Sequence, residues 1–148
     1  MNGHLRSRGF SLIEIAIVAC IAAVLLTIAL PGYREQLLRT RRAVATSVLV
    51  GVLARQEQFF IEHKRYAESL SSLGYPGSPF AVDAEGNRLT AAAREGIYLI
   101  DIATLPEGFE LQAQPLQAQG ADRACGTLTL NWQGVKTVSG IRSAAHCW

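Results

Sequence analysis

The chain has 148 residues, of which 49% are hydrophobic and 18% are charged, and its formal net charge is +2. This charge is too small to imply an acidic or nucleic-acid partner by itself. Roughly 115 residues follow Pro31, enough for one modest domain.

An apolar run that contains one carboxylate lies near the N-terminus. Residues 10–30 include a single charged residue, Glu14. As a helix, this run spans about 30 Å, the thickness of the hydrocarbon core of a bilayer. A carboxylate inside such a helix is costly and requires a partner, which no Lys or Arg of the run can supply. Cleavage between Gly9 and Phe10 would provide one, because it gives Phe10 a free, positively charged amine.

Three other interpretations of this run remain open, although each is less favoured. A secretory signal cut after Ala29 would have a shorter apolar region without Glu14. A lipoprotein box ending at Cys20 would be followed by polar residues, whereas ten more apolar or neutral residues follow here. A plain single-span anchor would carry Glu14 incidentally.

Residues 8–15, RGFSLIEI, resemble the N-terminus of type IV prepilins. In that family a dedicated peptidase cuts after the glycine and methylates the new amine. The resemblance implies that Gly9 ends a leader of residues 1–9 and that Phe10 is the methylated N-terminus. It also implies that Glu14 accepts the amine of a neighbouring subunit, and Pro31 matches a proline of the family. The implied partners are the prepilin peptidase, other major and minor pilin subunits through the N-terminal helix, and the inner membrane before assembly.

A helical pattern resumes after Pro31 and continues to about His63. We expect one long helix with a kink at Pro31, because proline removes a backbone hydrogen bond and clashes with the preceding turn. Its predicted apolar stripe consists of Leu37, Val44, Val48, Val52 and Phe59. The opposite face is small or polar and consists of Ala43, Thr46, Ser47, Ala54 and Glu57.

The second half of the chain carries strand signals. Residues 76–96 form a connecting region in which residues 90–94 are expected to form a short helix. Residues 97–103 are rich in apolar and β-branched residues, and residues 109–114 and 127–132 alternate with period 2. Gln133 and Gly134 then predict a hairpin turn into residues 135–138. The predicted fold is α+β: a long helix packed on a small antiparallel sheet, with residues 31–148 forming the globular domain after the membrane span of residues 10–30.

Two of the three cysteines, Cys125 and Cys147, are predicted to form a disulfide, the alternative being two free thiols. Cys20 lies in the middle of the membrane segment without a plausible partner, and His146 alone is not a zinc site. Type IV pilins close their C-terminal loop with such a bridge. Segments beginning at residues 55, 73 and 125 are most similar to minor pilins of the PilE type.

Charge and cysteines disagree about the orientation in the membrane. Two arginines precede the span and four follow it within 12 residues, which favours a cytoplasmic C-terminus. Long domains translocate largely regardless of charge, however, and a disulfide suits an oxidising compartment. We therefore expect a periplasmic domain on a single-pass inner-membrane anchor, which later joins a pilus fibre at the cell surface.

Three functions are compatible with these features. The leading one is a structural subunit of type IV pili, specifically a minor pilin that contributes to pilus assembly, twitching motility and surface attachment. The second is a pseudopilin of type II secretion, which shares the N-terminus. The third is a DNA-uptake receptor, which needs a basic patch.

Nucleic acid is the less favoured partner because Asp122 dilutes the basic residues Arg123, Lys136 and Arg142 and no aromatic residues are interleaved with them. No catalytic motif, cofactor site or metal site is expected. The three histidines, His4, His63 and His146, are interpreted as solvated.

Overall fold

The computed structural model describes residues 11–148. Its first and longest element is helix α1, Leu12–His63. The chain divides into two compact units, with the boundary between Gln36 and Leu37. The N-terminal half of α1 therefore belongs to one unit, and the rest of α1 belongs to the globular unit Leu37–Trp148.

The buried face of α1 in the globular unit differs from the predicted stripe. Its buried residues are Arg42, Ala45, Leu49, Val52 and Gln56. Val52 was predicted correctly, whereas Val44, Val48 and Phe59 pack only partly against the core and Leu37 is exposed. The face is rotated by about one residue because two polar side chains, Arg42 and Gln56, find buried partners. An apolar periodicity cannot detect such partners.

The connection after α1 begins with a 3-10 turn, Leu70–Leu73. The Ser69 side chain accepts a hydrogen bond from the Ser71 amide, and Gly74 ends the turn at φ 80°. This left-handed conformation favours glycine. The buried Leu70 and Leu73 side chains join the core, so the turn is part of the packed domain.

A short hairpin, missed at the sequence level, follows in the connecting region. Strand β1, Phe80–Val82, is wholly buried, and strand β2, Arg88–Thr90, pairs with it in antiparallel register. The Asp83 side chain holds the turn by accepting hydrogen bonds from the amides of Glu85 and Asn87. The short helix expected at residues 90–94 is wrong, because residue 90 ends β2 and a turn follows.

The other predicted strands are confirmed, with small shifts at their ends. They are β3, Tyr98–Leu105, β4, Gly108–Pro115, β5, Leu128–Asn131, and β6, Lys136–Val138. All neighbouring pairs are antiparallel, and the strand order is β2-β1-β3-β4-β5-β6. A 3-10 turn, Gln117–Ala121, precedes β5, and a short helix α2, Ala144–Cys147, follows β6.

The core lies between α1 and one face of this sheet. Buried side chains alternate along β3 and β4, as expected for an antiparallel sheet with one covered face. The largest fully buried aromatic side chains are those of Phe80, Tyr98 and Phe109. Leu128 and Leu130 of β5 are buried as predicted, and Trp132 packs partly against the core. The α+β architecture, a long helix on an antiparallel sheet, is therefore confirmed.

Candidate functional site

The N-terminal half of α1 presents apolar side chains that the described structure leaves uncovered. Every large aliphatic side chain of residues 12–30 is at least half exposed, and Leu12 reaches 88%. Length and composition allow α1 to cross a membrane, and none of its most apolar window is buried. The hydroxyl of Thr27 donates to the carbonyl of Val24 at 2.7 Å, so this polar group is satisfied within the helix. We call residues 12–30 the apolar segment. It needs lipid or other helices to cover it.

Glu14 lies in the first turn of α1. Its amide donates to the carbonyl of Ser11 at 3.1 Å, so its position at the start of the helix is well defined. A carboxylate is favourable there because the N-terminus of a helix carries partial positive charge. The predicted cleavage site, Gly9 and Phe10, lies outside the described residues, so the pairing of Glu14 with the Phe10 amine stays a prediction.

Pro31 lies inside α1, and the helix continues through it. Because proline has no amide proton, the hydrogen bond to the carbonyl of residue 27 is missing at this point. The kink expected at Pro31 stays a prediction.

The predicted disulfide is confirmed. Cys125 and Cys147 are bonded, with their Cα atoms 5.7 Å apart, while Cys20 is free and exposed. We call residues 116–148 the C-terminal region. Within it, Gly140 passes close to the chain at Ala124, where a Cβ atom would come within 2.3 Å of the Ala124 carbonyl oxygen. Only glycine fits there, and its amide donates to the carbonyl of Cys125 at 2.9 Å.

A buried ion pair joins α1 to the C-terminal region. The Arg42 Nε atom lies 2.6 Å from Oδ2 of Asp122, and its Nη2 atom lies 3.1 Å from Oδ1. The two side chains are only 3% and 0% exposed. The Gln119 amide donates to the same carboxylate at 3.3 Å and to the Tyr98 hydroxyl at 3.0 Å. Paired and hydrogen-bonded in this way, the two charges can be buried.

Tyr98 is the neutral end of this network. The pKa of Tyr98 is raised to about 12, chiefly by burial; the N–H donated by Gln119 opposes this rise and the charge of Asp122 adds to it. The hydroxyl therefore stays protonated under ordinary conditions.

A second buried polar contact joins α1 to the chain that follows it. The Gln56 side chain donates to the carbonyl of Ala67 at 2.8 Å and accepts from the amide of the same residue at 2.9 Å. Gln56 is fully buried, and both ends of its amide are satisfied. Sequence analysis missed this contact and the Arg42–Asp122 pair. The only sign of these contacts in the sequence is that Arg42 and Gln56 are polar residues at helix positions that fall on the buried face of α1.

The structure changes the electrostatic assessment of the C-terminal region. Asp122, expected to dilute the basic residues, is buried against Arg42, and no other Asp or Glu occurs in residues 116–148. The amide of Arg142 donates to the carbonyl of Ala124 at 2.9 Å, which brings Arg142 beside Arg123 in the fold. The exposed charged side chains of residues 116–148 are therefore all basic.

An aromatic side chain accompanies one of these cations. The Lys136 Nζ atom lies 5.2 Å from the centroid of the Trp148 ring. This contact corrects the expectation that no aromatic residue accompanies the basic ones. Both features depend on contacts between residues that are distant in sequence: Asp122 is buried by Arg42, and Trp148 lies beside Lys136. The sequence alone does not show either contact.

Histidines and acidic residues form no metal site within residues 11–148. His63 stacks on Phe59 with ring centroids 4.0 Å apart, and His146 is exposed beside the disulfide. His4 lies outside the described residues.

Comparisons with known proteins identify the family of this chain. Residues 31–129 match the family described as type IV minor pilin ComP, DNA uptake sequence receptor. The type IV major pilin protein PilA of Myxococcus xanthus is 34% identical over 88 residues, which is 60% of this chain and 39% of that protein. The type IV major pilin protein PilE1 of Neisseria gonorrhoeae is 29% identical over 72 residues, which is 49% of this chain and 44% of that protein.

The chain thus spans less than half the length of these curated relatives. A type IV pilin structure from Shewanella oneidensis is 23% identical with a TM-score of 0.49, covering 75% of this chain and 97% of that one. Because the family match covers more than half of the sequence, the chain belongs to the type IV pilin family, whose members are structural subunits.

Proposed function

We propose that this pilin is a minor subunit of type IV pili that contributes to pilus assembly, and thereby to twitching motility and surface attachment. The observation that carries the proposal is the exposed apolar segment with Glu14 in the first turn of its helix. The match of residues 31–129 to a family described as a minor pilin supports the minor role.

In this proposal the subunit matures in the membrane and then assembles into the filament. The prepilin peptidase cuts after Gly9 and methylates Phe10, while the apolar segment holds the subunit in the inner membrane with residues 31–148 in the periplasm. The segment then leaves lipid for the filament core, where its neighbours are apolar helices of other pilins. An unpaired carboxylate there would cost several kcal/mol. The amine of a neighbouring Phe10 offsets that cost only in the correct axial register, so the pair selects register.

Replacing Glu14 with alanine tests this mechanism. We expect normal cleavage and membrane insertion, but at least about tenfold less protein in sheared pili, since tenfold corresponds to only 1.4 kcal/mol. The matched control is Glu107→Ala, which removes an exposed carboxylate far along the sequence in the turn between β3 and β4. A Gly9 substitution should instead leave the uncut form in the inner membrane. Wild-type levels of the Glu14→Ala protein in sheared pili would contradict the pairing.

The alternative function is a pseudopilin of type II secretion, a class of protein that shares the same N-terminus. Deleting the gene distinguishes the two functions. Loss of pili and twitching with intact secretion supports the pilus, whereas loss of secretion with normal pili supports the pseudopilus.

A second candidate function, DNA-uptake receptor, is favoured by one structural observation. Because Asp122 is buried against Arg42, the cations of the C-terminal region have no exposed carboxylate beside them in sequence. The description of the matching family as a DNA uptake sequence receptor agrees with this candidate. Phosphate contacts from arginine and lysine supply most non-specific DNA affinity.

Fluorescence anisotropy with a labelled DNA duplex tests this candidate, using the full chain in neutral detergent. Removing both Arg123 and Arg142 by charge-neutral substitution should lower the slope of log affinity against log salt by about 0.9 per lost phosphate contact. The control is Arg65→Gln, another exposed arginine. Equal slopes for all three proteins would exclude the C-terminal region as the DNA-binding surface.

A further inference from the structure

A small, comparatively enclosed cavity lies between α1 and the C-terminal helix α2 in the globular unit. Its volume is about 180 Å³. The α1 wall includes Arg39, Arg42 and Thr46, and the α2 wall includes His146 and Trp148. No Asp or Glu lines it.

The ionisable side chains that line this cavity are all basic. Asp122 neutralises Arg42, whereas Arg39 makes no ion pair within residues 11–148. Lys136 adds a further positive charge, since its Nζ atom lies 5.2 Å from the centroid of the Trp148 ring. A concave site walled by protein and lined by one sign of charge concentrates counter-ions.

The donors fit an oxyanion. The arginine guanidinium is a planar fork of N–H groups that matches phosphate and carboxylate oxygens, and it stays charged at any physiological pH. The imidazole of His146 supplies at least one N–H in either tautomer. The Thr46 hydroxyl donates to the Ala43 carbonyl at 3.0 Å, so it contributes no further proton.

We propose that this cavity binds a phosphate group, held by Arg39 from one wall and by His146 from the other. The cavity is too small for a base pair but accommodates one phosphate with a few waters. The group could be inorganic phosphate or the headgroup of an anionic lipid, which present the same oxyanion. The proposal goes beyond the pilus function and does not depend on it.

Phosphate titration of the full chain in neutral detergent micelles, followed by NMR, tests the site. We expect saturable shifts of the amides of residues 145–148 with sodium phosphate, and none with sodium chloride at equal ionic strength. Arg39→Gln should weaken binding about tenfold, as expected for loss of a charge-assisted hydrogen bond. Arg65→Gln, the matched control, removes an exposed arginine that does not line the cavity and should change the affinity less than about twofold.

Equal shifts with phosphate and chloride, or equal effects of the two arginine variants, would overturn the proposal. Nanodiscs identify the source of the phosphate. If phosphatidylglycerol reproduces the shifts and phosphatidylcholine does not, the ligand is a lipid headgroup. If inorganic phosphate binds and neither lipid competes, the ligand is a free phosphate. Saturable shifts with a DNA duplex but none with phosphate would also overturn the proposal, and would assign the cavity to the DNA-binding surface.

Discussion

Removing the carboxylate of Asp122 should destabilise the globular unit strongly. Its two oxygens lie 2.6 and 3.1 Å from nitrogens of Arg42, and its side chain is fully buried. Breaking a buried ion pair by deleting one partner costs about 3–5 kcal/mol, because the other charge stays in a poorly solvated place. Asp122→Ala also removes the acceptor for the Gln119 amide. We therefore expect the free energy of unfolding to fall by an amount in the upper half of that range.

Thermal unfolding of the full chain in neutral detergent measures this loss. Near-ultraviolet circular dichroism follows Trp132 and Trp148, both of which pack against the core of the globular unit. For a domain of this size, 1 kcal/mol corresponds to about 4 °C, so a loss of about 4–5 kcal/mol should lower the unfolding midpoint by about 16–20 °C.

Two comparisons make the measurement specific to the ion pair. Asp101→Ala removes an exposed carboxylate that accepts a hydrogen bond from the neighbouring Ile102 amide, and it should cost less than about 0.5 kcal/mol. A double-mutant cycle with Arg42→Met should show a coupling energy above about 1 kcal/mol. A midpoint for Asp122→Ala within about 2 °C of the wild type, or additive single variants, would refute the reasoning.

Three further outcomes are expected. Mass spectrometry of unreduced peptides should show Cys125 joined to Cys147 and Cys20 open to alkylation; an alkylated Cys125 peptide would contradict this. Replacing both bonded cysteines by serine should lower the free energy of unfolding by about 3 kcal/mol. A fragment starting at Leu37 with its disulfide intact should sediment as a soluble monomer, because it lacks the apolar segment; obligate aggregation would count against this division. Because the pKa of Tyr98 is raised to about 12, the stabilisation from its protonated form is complete below pH 10 and lost as pH rises toward 12. Tyr98→Phe should flatten that decline in alkaline unfolding curves, and an unchanged slope would exclude Tyr98 as its cause.

Local patterns predicted most of the strands. The alternation in residues 109–114 and 127–132 appears in the structure as β4 and β5, because a strand with one buried face requires period 2. The hairpin of β1 and β2 escaped detection because each strand has only three residues, too few to establish a period. Turn residues around it, including Gly86, were visible, but they do not indicate which neighbours pair.

The sequence by itself determined the long helix, the apolar segment with Glu14, the antiparallel strands and the disulfide pair. Each of these depends on a run of neighbouring residues or on the chemistry of one residue type. Tertiary structure alone decided which face of α1 is buried and whether Asp122 is buried or exposed. Arg42 and Asp122 are 80 residues apart, and a charge can be buried only where folding brings its partner within hydrogen-bond distance. The charge of the C-terminal surface depends on that long-range contact, and no local pattern encodes it.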